Sequence, residues 1–467
     1  MPNSTINATT NGLNSTAGNV ATLDLQVAGS TVASVGSTGI SVTGTVSATG
    51  VSSFPAGSNT APSITFTGDT NTGIYSPAAD TIAFTEGGVE AMRLDSSGNV
   101  LVGTTSASTP SSTGFISTAN TFGFKNRIIN GDMRIDQRNA GASSASGRFT
   151  IDRWLADSSQ SAKYTVQQNA GSVTPPAGFT NYLGVTSSSA YSVLTGDYFT
   201  VQQYIEGFNV ADLGWGTANA KTVTLSFWVR SSLTGTFGGA LKNSAENRSY
   251  PFTYTISAAN TWEQKSITIA GDTSGTWLTN NGRGISLFFG LGVGSTYSGT
   301  AGAWAGSNFA SATGATSVVG TNGATFYITG VQLEVGTVAT SFDVRPYGTE
   351  LALCQRYYFK TIGGATTSSP LGVGFIDTAT TAVVATYFPV EMRTDPAAVE
   401  TNGTASDYRV RRTGGSTVCS AVPSFFSTTR NSGATTFTVA SGLTTGQAAF
   451  GGTSSANVGF LAWSAEL

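Results

Sequence analysis

The sequence contains no histidine among its 467 residues. Catalytic arrangements that need an imidazole base, including Ser-His-Asp and Cys-His, are therefore excluded, and so are zinc sites with histidine ligands. The two cysteines, Cys354 and Cys419, are too few for a disulfide scaffold or a four-cysteine zinc site. We expect free thiols, no zinc and no cofactor.

Charged residues are also scarce, since 22 basic and 25 acidic residues give a net charge of −3. Nucleic-acid binding draws on clustered lysine and arginine that displace counterions, so we expect no nucleic-acid partner. No apolar run approaches the roughly 18 residues of a membrane-spanning helix. The first residues also lack the cationic and apolar regions of a secretory signal. These features predict synthesis in a cytoplasm and no membrane insertion.

Small and turn-forming residues dominate the sequence, with 58 glycines and 10% aromatic residues. This composition, without any extended helical period, predicts a nearly all-β chain with many tight turns. The length allows two or three domains.

Residues 1–62 contain a single charged residue, Asp24, and short Val or Ile alternations broken by glycine. So few bulky apolar groups cannot offset roughly 1 to 2 kcal/mol of backbone ordering per residue. The segment is therefore either disordered or intertwined with copies of itself. We favour an intertwined β shaft, with three chains around one axis.

Residues 63–108 predict a small module of five short strands joined by turn residues, and residues 109–121 predict a linker. The segment Asp69–Gly73 is expected to form one of the turns. Its acidic residues leave Ca²⁺ binding open, although plain hairpin turns explain them better. The predicted strands span residues 64–67, 73–75, 81–85, 91–95 and 100–103.

Residues 122–348 predict two packed antiparallel sheets. The clearest strand spans residues 222–230, where Val223, Leu225, Phe227 and Val229 share one face by strict alternation. Other predicted strands span residues 164–167, 198–205, 264–269, 285–291 and 325–335.

Residues 349–467 predict a third unit, in which a short helical turn within ELALCQRYYF precedes further strands. Tyr408 and Arg411 are candidates for a ligand-binding patch, although a strand edge protected by charge explains them as well. The predicted strands span residues 371–376, 381–388, 407–412, 436–439 and 458–463.

The region from Lys125 to Arg153 concentrates charge, and we interpret it as a structural network of ion pairs. Glycoside cleavage needs only two carboxyl groups, and pairs such as Asp152 and Asp157 keep it formally open. We expect the neighbouring arginines to lower the pKa values of the acidic residues, whereas a general acid needs a raised pKa. The network comprises Arg127, Asp132, Arg134, Asp136, Arg138, Asp152 and Arg153.

Sugar binding requires flat aromatic faces surrounded by hydrogen-bonding groups. Trp228 is the first candidate, because strand alternation places it beside Arg230 and opposite the apolar row. Burial against another strand, loop or subunit is the alternative for each ring. Further candidates in or beside loops are Trp262, Trp277 and Trp304.

Several stretches resemble tail fibres of bacteriophages, particularly those of cyanobacteria and marine bacteria. FGFKNRIINGDMRIDQR, TVTLSFWVRSS, NTWEQKSITIAG, FYITGVQLEVG and TSFDVRPYGTELALCQRYY resemble, in order, the carbohydrate-binding-module-like jelly roll of such fibres. Residues 63–108 look like their small shaft repeats. YFPVEMRTDPAAVE and GFLAWSAEL resemble their terminal knob.

The resemblance implies a homotrimeric, non-enzymatic receptor-binding protein of the virion. Residues 1–62 would attach to a baseplate or tail adaptor protein, and the C-terminal β domains would bind a host surface glycan. The fold it implies is an elongated all-β fibre with a jelly-roll β-sandwich and a β-sandwich knob. A glycan-degrading tailspike, a purely structural fibre and a secreted adhesin are the alternatives.

Overall fold

The computed structural model describes residues 22–27, 30–36, 39–43, 45–47, 50–98, 100–102, 116–118, 124–364, 369–454 and 459–467. The chain divides into two compact units, residues 1–118 and 119–467. Strands dominate both, and one α-helix occurs among the described residues. The predicted all-β class is confirmed. No helix in these ranges is long and apolar enough to cross a membrane.

The first unit contains a three-stranded and a six-stranded sheet, each with its strands in chain order. The five strands predicted for residues 63–108 are present within a few residues. The turn predicted at Asp69–Gly73 is wrong, because Asp69 begins a strand and the chain turns at Thr67 and Gly68, where Gly68 has a φ of +87°. The strands are β1 (Thr22–Val27), β2 (Ser30–Gly36), β3 (Gly39–Val42), β4 (Ile64–Phe66), β5 (Asp69–Tyr75), β6 (Ile82–Glu86), β7 (Val89–Leu94), β8 (Val100–Val102) and β9 (Ile116–Thr118).

The two faces of the six-stranded sheet differ. Ala83, Thr85 and Leu101 are buried on one face, where the Thr85 hydroxyl donates to the backbone of Asn59. On the opposite face, strand register aligns apolar side chains across β4 to β8, and several are largely exposed, including Ile82 at 50%. We call this the apolar face of the first unit; it comprises Ile64, Ile74, Ile82, Phe84, Met92, Leu94, Val100 and Val102.

The first part of the second unit is a jelly-roll-like β-sandwich, as predicted. Sheet A has the strand order β10-β13-β14-β23-β16-β19, and sheet B has the order β11-β12-β15-β20-β17-β18. The strands are β10 (Ser144–Ala145), β11 (Arg148–Ile151), β12 (Trp154–Ser158), β13 (Tyr164–Gln168), β14 (Leu183–Ser187), β15 (Tyr198–Glu206), β16 (Val223–Ser231), β17 (Gly235–Lys242), β18 (Ser249–Ile256), β19 (Glu263–Ile269), β20 (Arg283–Val293), β21 (Ser298–Gly299), β22 (Ser311–Ala312) and β23 (Thr325–Val335).

The core of this sandwich lies between sheets A and B. The alternating row Val223, Leu225, Phe227 and Val229 of β16 is completely buried there, as predicted. Phe227 meets Phe289 of sheet B edge to face, with ring centroids 5.0 Å apart. Each such side chain contributes roughly 1.5 to 3 kcal/mol by leaving water.

The remaining residues form one helix, a two-stranded sheet of β24 and β32, and a seven-stranded sheet C with the order β28-β27-β31-β25-β26-β30-β29. The predicted helical turn is a helix of 9 residues that begins directly after Pro346. The elements are α1 (Tyr347–Gln355), β24 (Tyr358–Ile362), β25 (Pro370–Ile376), β26 (Thr381–Tyr387), β27 (Tyr408–Arg412), β28 (Gly415–Val418), β29 (Ser424–Thr429), β30 (Ser432–Thr438), β31 (Ala448–Thr453) and β32 (Phe460–Ser464).

Candidate functional site

The loop between β20 and β23 crosses the outer face of sheet B, the face opposite to its core, before Val318 and Val319 return to that core. Glycines in β17 and β20 allow this loop to approach the sheet closely. A Cβ atom at Gly238 would lie 2.5 Å from the Ser311 Oγ, and one at Gly290 would lie 2.7 Å from the same atom. These two glycines therefore let the crossing loop lie directly on the sheet.

A cleft of about 180 Å³ opens on this face beside the crossing loop. Its floor comes from β15, β20 and β17, where Gln202 pairs with Phe288 and Phe288 pairs with Ala240. Directly paired residues of antiparallel strands share a face, so these strands present one continuous surface. The cleft is lined by Asp157, Tyr198, Gln202, Tyr204, Lys242, Glu246, Phe288, Tyr297, Asn308 and Ala310.

Three half-buried tyrosines line the cleft. Tyr198 and Tyr297 meet edge to face with centroids 5.4 Å apart, and the Arg283 guanidinium lies 4.8 Å from the Tyr204 ring centroid. Burial raises the pKa of Tyr198 and of Tyr204. Both hydroxyls therefore remain protonated at neutral pH, where they donate and accept hydrogen bonds.

A chain of polar contacts links Lys242 on the floor of the cleft to Asn308 of the crossing loop and then to Glu246. The Lys242 Nζ lies 4.0 Å from the Phe288 ring centroid and donates to the Asn308 Oδ1 at 2.6 Å. The Asn308 Nδ2 donates to Glu246 at 2.9 Å, and Arg283 donates to the same carboxylate at 3.0 Å. Burial lowers the pKa of Lys242 to about 8. The side chains are thus held in place before any ligand arrives.

Gln202 carries an unsatisfied acceptor on the cleft floor. Gln202 is 1% exposed. Its Nε2 donates to Asp157 at 3.2 Å, whereas its Oε1 receives no hydrogen bond from the described residues. The Ser286 Oγ, one strand away on the same face, is equally without a partner there. Leaving a buried polar group unsatisfied costs about 1 to 3 kcal/mol.

The cleft is electrostatically balanced. Asp157 and Glu246 supply two negative charges, and Lys242 with the adjacent Arg283 supplies two positive charges. The arrangement therefore favours a neutral, hydroxyl-rich ligand over an ion. Within the described ranges, no group of three or more acidic or thiol side chains is placed to hold a metal ion.

The predicted residues Trp228 and Arg230 lie on the outer face of sheet A, and Trp262 is linked to Arg230 through the neighbouring rings of Tyr182 and Tyr327. The Arg230 guanidinium lies 5.5 Å from the Tyr327 ring centroid, and its Nε donates to the Asn260 carbonyl at 2.9 Å. The Trp262 ring packs edge to face on Tyr182, with centroids 5.6 Å apart. All three predicted residues are half-buried.

Trp277 and Trp304 instead pack with Trp215. The three ring centroids are 4.7 to 5.4 Å apart, at interplanar angles of 77° to 82°. Each indole nitrogen donates to a backbone carbonyl, including Trp304 to Ala270 at 2.8 Å. Because the rings cover one another's faces, the arrangement favours packing over stacking on a sugar.

Tyr408 and Arg411 lie on opposite faces of β27. Tyr408 is completely buried, and its hydroxyl donates to the Phe460 carbonyl at 2.8 Å. Arg411 is exposed, with its guanidinium 5.7 Å from the Phe450 ring centroid. A single patch containing both residues is therefore not formed, because alternation along the strand separates them.

The charge cluster lies against the helix and strands that follow the first sandwich. Arg138 and Arg153 both pair with Glu466, and Arg127 pairs with Asp212 at 2.7 Å. The guanidinium of Arg134 pairs with Asp132. Asp136 accepts hydrogen bonds from the backbone of Asn139 at 2.8 Å and Gly141 at 2.6 Å.

The expected lowering of acidic pKa values is wrong for two members of the cluster. Burial raises the pKa of Asp132, despite its pairing with Arg134. Burial also raises the pKa of Asp152 to about 6, despite hydrogen bonds from Gln137. Desolvation disfavours the charged form more strongly than these partners favour it. Asp152 is nevertheless completely enclosed, so no glycan reaches it.

No protein-family model matches this sequence, and a search of curated proteins finds no match. Solved structures with a similar fold include the enzymatically active domain of bacteriophage CBA120 tailspike protein 4, with 13% identity and a TM-score of 0.26. The match covers 48% of this chain and 22% of the tailspike chain, so it spans about a fifth of that protein.

Two further similar structures are sugar-binding domains by their descriptions. A family 11 carbohydrate-binding module from Clostridium thermocellum, in complex with a mixed-linked tetrasaccharide, has 12% identity and a TM-score of 0.22, over 42% of this chain and 98% of that one. A putative sugar binding protein from Bacteroides thetaiotaomicron has 13% identity and a TM-score of 0.26, over 45% and 100%. At these values the comparisons assign no function to this chain.

Proposed function

We propose that the chain is a glycan-binding protein whose ligand occupies the cleft on the outer face of sheet B. The observation that carries the proposal is the cleft itself, in which aromatic rings surround polar side chains that are already held in place by hydrogen bonds. Sugar hydroxyls donate and accept hydrogen bonds, and the C–H faces of pyranose rings stack on aromatic side chains. The polar groups that line the cleft would bind the sugar hydroxyls while Tyr198 or Tyr204 contacts the ring.

Titration calorimetry against a panel of neutral polysaccharides tests this site. Tyr204→Ala is expected to weaken binding of the responding glycan about tenfold, because it removes an aromatic contact and a hydroxyl. The matched control is Tyr347→Ala, which removes a tyrosine that is 57% exposed at the start of α1. Equal affinities for the wild type and Tyr204→Ala would refute the cleft as the site.

The proposed role is binding rather than catalysis. Asp157 and Glu246 both line the cleft, but each already accepts hydrogen bonds from protein donors. Asp152 lies completely enclosed in the turn between β11 and β12, so it cannot reach a glycan as the partner of Asp157 in a glycosidase pair. Release of reducing ends from the bound glycan, lost in Asp157→Asn, would support the tailspike alternative instead.

We further propose that this protein belongs to a phage tail fibre. The support is the sequence resemblance, which runs through residues 63–108, 122–348 and 349–467. In this proposal residues 1–62 attach to a baseplate or tail adaptor protein, and the C-terminal β domains meet a host surface polysaccharide. Gold-labelled antibodies against the chain should decorate the tails of the producing phage. Labelling confined to host cells would favour a secreted adhesin.

Assembly as a homotrimer is the remaining part of the proposal. Its support is the apolar face of the first unit, on which Ile82 is 50% exposed and Phe84 is 37% exposed, while Glu90 and Arg93 pair elsewhere on the sheet. Light scattering of the full chain should give three times the monomer mass of 47.6 kDa. The double variant Ile82→Ser, Phe84→Ser should reduce that mass. A monomeric wild type would contradict the trimer.

A further inference from the structure

Sheet C presents one of its faces to solvent. The opposite face is buried in a core shared with the two-stranded sheet of β24 and β32, where Ile376, Val384 and Phe437 are completely enclosed. On the outer face, Val373 is 59% exposed and Phe375 is 50% exposed. Large apolar side chains exposed at the centre of a seven-stranded sheet indicate a surface that has a binding partner.

A cation and two aromatic rings are neighbours on this face. Arg411 of β27 is directly opposite Phe450 of β31, and Phe450 is directly opposite Val373 of β25. Phe375 is two residues beyond Val373 on the same face, which makes it a diagonal neighbour of Phe450 at about 7 to 8 Å. Arg411, Phe450 and Phe375 therefore form one continuous platform.

The Arg411 guanidinium is available to a ligand. Among the described residues, it contacts the Phe450 ring, with 5.7 Å to the centroid, and makes no hydrogen bond. A guanidinium donates in a fixed fork that matches a carboxylate. Stacking against an aromatic ring leaves the edges of that fork free to donate.

The charge on the platform has one sign. The outward positions of the seven strands include Arg409 and Arg411 and no acidic residue. Hydroxyl side chains flank the aromatic centre on the side away from the arginines, including Thr381 of β26 and Thr436 of β30. The face therefore complements an anion that also carries hydrogen-bonding groups and an apolar ring face.

We infer that the Arg411, Phe450 and Phe375 platform binds an acidic polysaccharide. A uronate carboxylate would accept from Arg411, and the C–H face of its ring or of the next sugar would lie on Phe450 and Phe375. The platform is separate from the charge-balanced cleft on sheet B, so one chain carries a neutral and an anionic glycan site. If the proposed glycan binding in the cleft also holds, two weak contacts with one polysaccharide would raise the overall avidity.

Polygalacturonate oligosaccharides test the platform, with the fully methyl-esterified form as the neutral ligand of the same shape. The wild type should bind the acid form and lose most of that binding on esterification. Arg411→Gln and Phe375→Ser should each weaken binding of the acid form about tenfold.

Arg430→Gln is the matched control, because Arg430 is an exposed arginine of the same sandwich that pairs with Glu391 at 3.3 Å. It should bind like the wild type. Equal binding of the acid and esterified forms, or full binding by Arg411→Gln, overturns the proposal. If Phe375→Ser instead reduces the oligomer mass in light scattering, the partner is another copy of the chain and the proposal is also overturned.

Discussion

The outer faces of sheets B and C show two uses of the same architecture. Sheet B contains Gly238 and Gly290, so a long loop lies on it and leaves a walled, charge-balanced cleft. Sheet C carries Val373 and Phe375 at its centre and keeps its face open and flat. The side chains at a few outward positions thus determine whether a sheet face becomes a cleft or a platform.

The largest expected effect comes from replacing Gly290 of sheet B by alanine, which turns its close contact with Ser311 into a steric clash. Gly290→Ala places a Cβ 2.7 Å from the Ser311 Oγ, so the crossing loop must shift. We expect a loss of about 1 to 3 kcal/mol in the free energy of unfolding, together with loss of glycan binding in the cleft. Urea denaturation and calorimetry measure the two quantities.

Gly306→Ala is the control for that change, because a Cβ at Gly306, in the same loop, meets no atom within 4 Å. It should alter stability by less than about 0.5 kcal/mol. Equal effects of the two substitutions would show that close approach of the loop does not depend on Gly290. The contrast between sheets B and C would then need another cause.

The free energy of unfolding, measured as a function of pH, tests the comparison further, because Lys242 is buried in the cleft. Its pKa is lowered to about 8 in the folded protein by burial, so the unfolded chain binds more protons between about pH 8 and 10.5. The Lys242 contribution to stability therefore rises with pH across this window, by on the order of 3 kcal/mol. The wild type should become more stable relative to Lys242→Met over that range.

The matched change on sheet C is Arg411→Met. Because Arg411 is exposed, we expect the stability difference between this variant and the wild type to stay flat over the same pH range. Urea midpoints at five pH values suffice for both variants. A flat profile for Lys242→Met would indicate that water reaches the lysine and that the cleft is more open than described.

The smallest expected effect is a difference in salt dependence between ligand binding to the platform on sheet C and ligand binding in the cleft on sheet B. Raising NaCl from 50 to 300 mM should weaken polygalacturonate binding to the platform several-fold, because screening acts on exposed charges. Binding of a neutral glycan in the cleft should change less than twofold. Similar salt dependence at both sites would contradict the assignment of one neutral and one anionic ligand.

Local patterns predicted much of the fold and little of the cleft. The strict alternation in β16 identifies its buried face directly, because that information lies within nine residues. Strands β17 and β18 were missed: the glycines of β17 mask its strand pattern, although Tyr254 and Ile256 in β18 alternate with threonine. Without β17, neither Lys242 nor the crossing loop can be placed on sheet B.

The partners of polar residues could not be predicted where they lie far apart in the sequence. Arg138 and Arg153 share Glu466 across more than 300 positions, and nothing near either arginine in the sequence points to that partner. The burial of Tyr408 is easier to predict from the sequence, because Tyr408 and Val410 alternate with Arg409 and Arg411 along β27. That pattern alone assigns the tyrosine to the core and the arginines to solvent.

The three indoles that pack edge to face at the crossing loop form an intrinsic optical reporter. Trp304 belongs to the loop, whereas Trp215 and Trp277 precede it in the chain, and all three rings are within about 5.4 Å of one another by centroid. Transitions of rings this close couple, so near-ultraviolet circular dichroism and tryptophan emission should respond when the loop lifts from the sheet. Movement of the crossing loop is therefore measurable without attaching a dye.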